Sequence, residues 1–163
     1  MKKIIFAILL ALPMTTFAQK IGHVNVDAVA QGMPELAAMQ TELQNLEKQF
    51  QDELQRKRTE IQTKADTYEK EKANLSEALR TFREQELQKA YEEYQQFGQT
   101  SEQELQKVSS TKQNEIMDKI MKAVEEVGAA GSFSYILPSS GIAYIGAGAT
   151  DITDQVKAKV GAK

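Results

Sequence analysis

The sequence predicts an α+β protein: a long antiparallel α-helical hairpin attached to a small β-rich body that is completed by oligomerisation. Three observations predict it. No proline occurs between Pro34 and Pro138. Apolar residues in that stretch recur at spacings of three and four, which gathers them on one helix face. Short β-like apolar runs lie only outside it, one before and one after.

The first residues are set aside as an export signal. Lys2 and Lys3 precede an apolar run over residues 4–12 that is too short for a stable bilayer span. Thr16-Phe17-Ala18 then places small residues at the -3 and -1 positions of a cleavage site. Residues 1–18 are read as a signal peptide, the mature chain starting at Gln19 in a periplasmic location. Losing the two lysines takes the formal charge from -3 to -5. That acidic balance argues against a nucleic-acid partner, which calls for Lys and Arg gathered on one face.

The mature chain divides into body strand and turn at 19–33, a helical hairpin arm at 34–128, and a closing body segment at 129–163. In the first, Lys20-Ile21-Gly22-His23-Val24-Asn25-Val26 reads as a strand, followed by a loose helical turn over 27–33. Pro34-Glu35 opens the arm, because proline's missing N–H costs nothing in the first turn and a carboxylate suits the positive helix end. Leu36, Met39, Leu43, Leu46 and Phe50 form the first stripe, continued by Leu54, Ile61, Tyr68 and Leu75. A second stripe runs from Leu79 and Phe82 through Ala90, Tyr94, Phe97, Val108, Ile116, Ile120 and Val124 to Val127.

A bend is required between the stripes. One unbroken helix over 34–128 would be ~140 Å long at 1.5 Å per residue and would hold the strands far apart. Asn74-Leu75-Ser76 is the predicted turn: Asn tolerates the left-handed conformation, and Ser76 caps the next helix. Folding there gives two arms of ~60 Å. Past Gly128, residues 133–137 and 142–145 read as a β-hairpin turning at Pro138-Ser139-Ser140-Gly141. Residues 151–161 read as a short helix ending at Gly161.

So small a body implies partners. Val24, Val26, Ile136, Ile142 and Tyr144 are the candidate oligomer contacts, since open strand edges beside them invite neighbouring subunits. On the arm, Lys70, Lys72, Arg80 and Arg83 are candidate tip cations. Between Arg56 and Lys89 nine basic residues meet seven acidic ones, whereas the arm bases are acidic, so the tip is the part suited to acidic clients or an anionic membrane surface. Tyr91, Tyr94 and Phe97 carry two readings: a surface that touches a client, or ordinary filling of the helix seam. Gly98 is either a flexible joint in the second arm or a tolerated helical glycine.

No catalytic chemistry is expected. His23 is the only histidine and cysteine is absent, which excludes a multi-imidazole metal site and leaves no thiolate ligands. Neither metal nor cofactor is predicted.

The order Ile21-Gly22-His23-Val24-Asn25-Val26, Met33-Pro34-Glu35, long hairpin, and Asp151-Ile152-Thr153-Asp154-Gln155-Val156-Lys157-Ala158-Lys159 resembles the OmpH/Skp family across essentially the whole mature chain. The resemblance implies a homotrimer whose β-body carries three helical tentacles around a cavity. It also implies an ATP-independent chaperone that holds unfolded outer-membrane proteins. The chain departs from the family's best-known member in being acidic rather than strongly basic. The competing reading is a structural periplasmic adaptor whose hairpin docks onto one partner protein.

Overall fold

The computed structural model describes residues 19–163, and the export signal read over residues 1–18 lies outside them. β1 (Ile21–Val24) leads into α1 (Val26–Gly32), and Asn25 makes the junction. Its side-chain Oδ1 accepts from the Ala28 backbone N at 2.9 Å, satisfying one of the unpaired donors of the first helical turn. The strand is thus shorter than the sequence suggests: Val26 is helical because the Asn25 cap wins over the β-propensity of a single valine.

α2 (Pro34–Glu71) and α3 (Glu77–Ala130) form the arm. Proline stands in the first turn of α2 with Glu35 beside it. A 3₁₀ turn at Lys72–Asn74 and extended Leu75 reverse the chain. Ser76 then caps α3, its Oγ accepting from the Leu79 N at 3.4 Å. The predicted bend is therefore where the chain folds back, but Asn74 ends the 3₁₀ turn and does not take the expected left-handed conformation. The two limbs are also unequal: 38 residues against 54, or ~57 Å against ~81 Å. The surplus of α3 runs past the start of α2 into the body, where Val124 and Val127 continue the core wall begun by Ile116 and Ile120.

The body sheet departs from the sequence reading. Its order is β2-β1-β3, with β2 (Tyr135–Pro138) and β3 (Ala149–Asp151) each pairing parallel to β1. The expected β-hairpin over 133–137 and 142–145 is absent; after β2 the chain makes a 3₁₀ turn at Ser139–Gly141 and runs irregularly to β3. The physical reason is the arm. It is a long excursion that returns the chain to the end where β1 began, with Ser134 N donating to Lys20 O at 2.8 Å, and a strand starting from that end must run parallel. The segment after it crosses to the other free edge of β1. Strand-like composition over 142–145 does not outweigh that, and Tyr144 stands in solvent, 84% exposed.

α4 (Thr153–Val160) closes the core with Ile152, Val156 and Val160, against Val24, Val29 and Met33. Gly161 ends it at φ +71°, the left-handed conformation that glycine adopts without strain.

Candidate functional site

Alternation along β1 divides the sheet into two faces. Gly22 and Val24 point into the core, and their partners Ile136 and Pro138 share that face. Ile21 and His23 point the other way, beside Tyr135 and Leu137 on β2 and Ala149 and Asp151 on β3. The inner face is covered by helices. The outer face is partly open: Ile21, Tyr135 and Leu137 are exposed while the His23 side chain is 12% exposed, and Tyr144 and Ile145 are exposed in the irregular segment after β2. A parallel sheet with one bare apolar face is unusual, because such sheets ordinarily bury both.

The five predicted assembly residues occupy different settings in the protomer. Val24 lies 3% exposed inside the protomer's own core, and Val26 and Ile136 pack against that core. A side chain already buried offers little surface to a neighbour. Ile142 is half-buried, and only Tyr144 of the five projects fully. The exposed residues of the outer face, Ile21, Tyr135 and Leu137, are not among those five. The strand alternation could have flagged them, but choosing which alternate faced outwards required the parallel register.

His23 sits at the centre of the outer face, and Ser139 and Asp151 approach it. Ser139 Oγ lies 3.1 Å from His23 Nδ1 and Asp151 Oδ1 lies 4.0 Å from the same nitrogen. A nucleophilic triad needs serine and carboxylate on opposite ring nitrogens, so this trio cannot relay a proton from serine to the far side of the ring. Asp151 is committed elsewhere. Its Oδ1 accepts from Thr153 N at 2.8 Å and from Thr153 Oγ1 at 2.5 Å, and these bonds hold its carboxyl below the usual carboxylate range. Thr153 Oγ1 in turn accepts from Asn25 N at 3.0 Å. The cluster is a knot that ties β1, β3 and α4 together. No group of three or more His, Cys, Asp or Glu side chains suited to a metal occurs among the described residues.

On the arm, packing fades with distance from the body. At the base the Lys119 ammonium pairs with Glu35 across the seam, and Lys112 Nζ lies 3.5 Å from Glu42. The bond from Lys119 holds the Glu35 carboxyl below its ordinary range. Halfway out, Phe50 and Phe97 meet edge to face at 5.9 Å, with the Lys57 ammonium 5.7 Å from the Phe97 ring. Phe97 therefore belongs to the seam. Tyr94 is half-buried beside it, while Tyr91 is 49% exposed. Gly98 faces Leu54 of α2, whose side chain lies 3.9 Å from where a Cβ would stand.

Beyond that point Ile61 is the last buried side chain on α2, and Leu79 and Phe82 stay about half exposed. The second stripe does not form a seam there, because the opposing α2 surface offers charged groups such as Lys57, Glu60 and Lys64 around Ile61 rather than apolar partners. Near the tip, the Tyr68 hydroxyl donates to the Glu84 carboxylate and so joins the two limbs. Of the four candidate tip cations, Lys72 pairs with Glu69 at 2.6 Å and Arg83 with Glu86 at 2.8 Å. Arg80 Nε donates to the Leu75 carbonyl at 3.2 Å, and Lys70 and Arg80 meet no carboxylate within 4.0 Å among the described residues.

No helix among the described residues is long and apolar enough to cross a membrane. The model of the family described as outer membrane protein (OmpH-like) matches residues 20–160. The chaperone protein Skp of Photorhabdus laumondii is 28% identical over 143 residues, covering 86% of this chain and 87% of that protein. Skp of Salmonella typhimurium is also 28% identical, over 163 residues, with 98% and 99% covered. Among solved structures, an OmpH-like protein of Caulobacter crescentus CB15 superimposes with a TM-score of 0.74 at 17% identity, over 88% of this chain and 84% of that one. The last comparison speaks for the fold alone. A match over nearly all of the described residues makes the chain a member of the OmpH-like family, with chaperones rather than enzymes for relatives.

Proposed function

We propose that the protein is an ATP-independent periplasmic holdase that keeps unfolded outer-membrane proteins from aggregating in a space between helical arms. One observation carries the reading: an arm ~60 Å long that buries almost nothing in its distal half, yet presents Leu79, Phe82 and Tyr91 about half exposed among charges. Such a surface adds little to folding. It suits many weak contacts with a chain that has no fixed shape, and several arms together turn weak contacts into retention.

Several arms require assembly, and the outer sheet face provides for it. Ile21, Tyr135 and Leu137, with Tyr144 and Ile145, contribute one side of the head-to-tail contact of a homo-oligomer, a trimer on the family pattern. Transient contact with an anionic membrane surface falls to Lys70 and Arg80, the tip cations without a carboxylate partner.

The test uses the mature protein and a denatured β-barrel client diluted from urea. Equimolar trimer suppresses light scattering without nucleotide, and light-scattering mass gives three subunits. Unchanged aggregation defeats the holdase reading. Tight stoichiometric capture of one folded partner, with no client binding, favours the adaptor instead.

A further inference from the structure

The chain has no cysteine, so methionine carries its only sulfur, and the four methionines among the described residues fall into two sharply different settings. Met33 and Met39 are 2% and 7% exposed in the core, whereas Met117 and Met121 are 44% and 47% exposed. The exposed two stand one turn apart on α3, at i and i+4, so their side chains share a face.

That face is not an isolated patch. Continuing down the helix by three and four, Met117 and Met121 lead to Val124 and Gly128, both buried. β2 covers the lower end, its Ile136 Cδ1 standing 2.9 Å from where a Cβ on Gly128 would lie. The upper end of the same apolar stripe is left bare just above the body. Thioethers are its only large apolar groups there, and thioethers are the apolar groups that an oxidant can make polar without breaking the chain.

We propose that Met117 and Met121 form a reversible oxidation site that switches this bare stripe from apolar to polar. In each step the sulfur lone pair attacks one oxygen of hydrogen peroxide. The S–O bond forms, the O–O bond breaks, and the departing hydroxide takes up the remaining proton as water. Sulfur is oxidised by two electrons and the peroxide is reduced by two. Because both side chains already face solvent, the sulfoxides are hydrated in place and the fold survives. Met33 and Met39 are shielded by the same core that would be disrupted if they reacted. The functional consequence rests on the holdase reading: a polar stripe at the root of the arm retains apolar client segments less well.

The mature protein is treated with dilute hydrogen peroxide and mapped by peptide mass spectrometry. Sulfoxide appears at Met117 and Met121 about tenfold faster than at Met33 and Met39, with helical circular dichroism and Tm unchanged. Comparable rates at all four positions, or unfolding that accompanies oxidation of the exposed pair, overturn the site. Client aggregation is then followed with reduced and oxidised protein and with M117L/M121L. Oxidised wild type holds less client, methionine sulfoxide reductases restore it, and the activity of M117L/M121L does not respond to peroxide. Equal holding by reduced and oxidised wild type overturns the switch. Failure of the reduced protein to hold client at all defeats the holdase reading and with it the switch, while the mapping result stands apart.

Discussion

At the scale of single residues, burial rather than apolarity decides what a side chain contributes. Ile120 is 0% exposed in the core between α3 and α4, whereas Phe82, the larger group, is 53% exposed. Ile120→Ala should lower the unfolding free energy by about 2–5 kcal/mol, the range for truncating a buried aliphatic side chain. Phe82→Ala should stay within about 0.5 kcal/mol, as surface changes do. Urea titration of both variants checks the contrast, and a Phe82→Ala loss as large as that of Ile120→Ala would mean that Phe82 packs in the assembly.

Titration adds a second residue-scale prediction. Glu35 has a lowered folded pKa from its bond with Lys119, so its contribution is present above the ordinary carboxylate range and is lost as pH falls through the lowered value. Tyr68 has a raised pKa, first because its hydroxyl donates to Glu84. Its contribution is present below the ordinary tyrosine value and disappears as pH rises through the raised one. The base of the arm should therefore loosen in acid and the tip in alkali. Paired fluorophores across each position report the separation, and Tyr68→Phe should remove the alkaline response. Simultaneous opening at both ends would show that the limbs separate as one unit.

At the scale of elements, the arm shows how little is needed to direct a long helix. Leu75 extends and Ser76 closes the turn with one side-chain bond. Ser76→Ala should cost about 1 kcal/mol at this cap and should raise amide exchange in the first turns of α3 while leaving the body unchanged. Exchange that rises throughout the body instead would mean that arm and body unfold together. This turn was legible in the sequence because it depends on local chemistry, a capping serine with the Glu77 carboxylate in the first turn it opens. The β-hairpin was misread for the opposite reason. Residues 142–145 have the composition of a strand, but which edge of β1 remained free was decided by where the arm returned the chain.

At the scale of the whole molecule, the open outer face of the sheet predicts the effect of a charge placed on it. Leu137 is 46% exposed on β2 beside Tyr135. Leu137→Asp should leave the protomer folded, since nothing in its own core is disturbed, yet reduce the proposed oligomer, whose interface would have to desolvate the new carboxylate. Sedimentation with circular dichroism separates the two effects. An unchanged oligomer mass would place the assembly surface elsewhere.

The chain by itself determined the arm: the proline-free helical spacing, the helix-opening Pro34, the turn at Asn74-Leu75-Ser76 and the stop at Gly161 are all local, and each acts within a few residues of where it is written. Only the tertiary structure decided the sheet order, the inward side of β1 and the division of the methionines into buried and bare. Those depend on contacts between residues a hundred positions apart, such as Lys20 with Ser134 and His23 with Ser139. Local propensity carries no record of which distant edge or face will be free when the chain comes back.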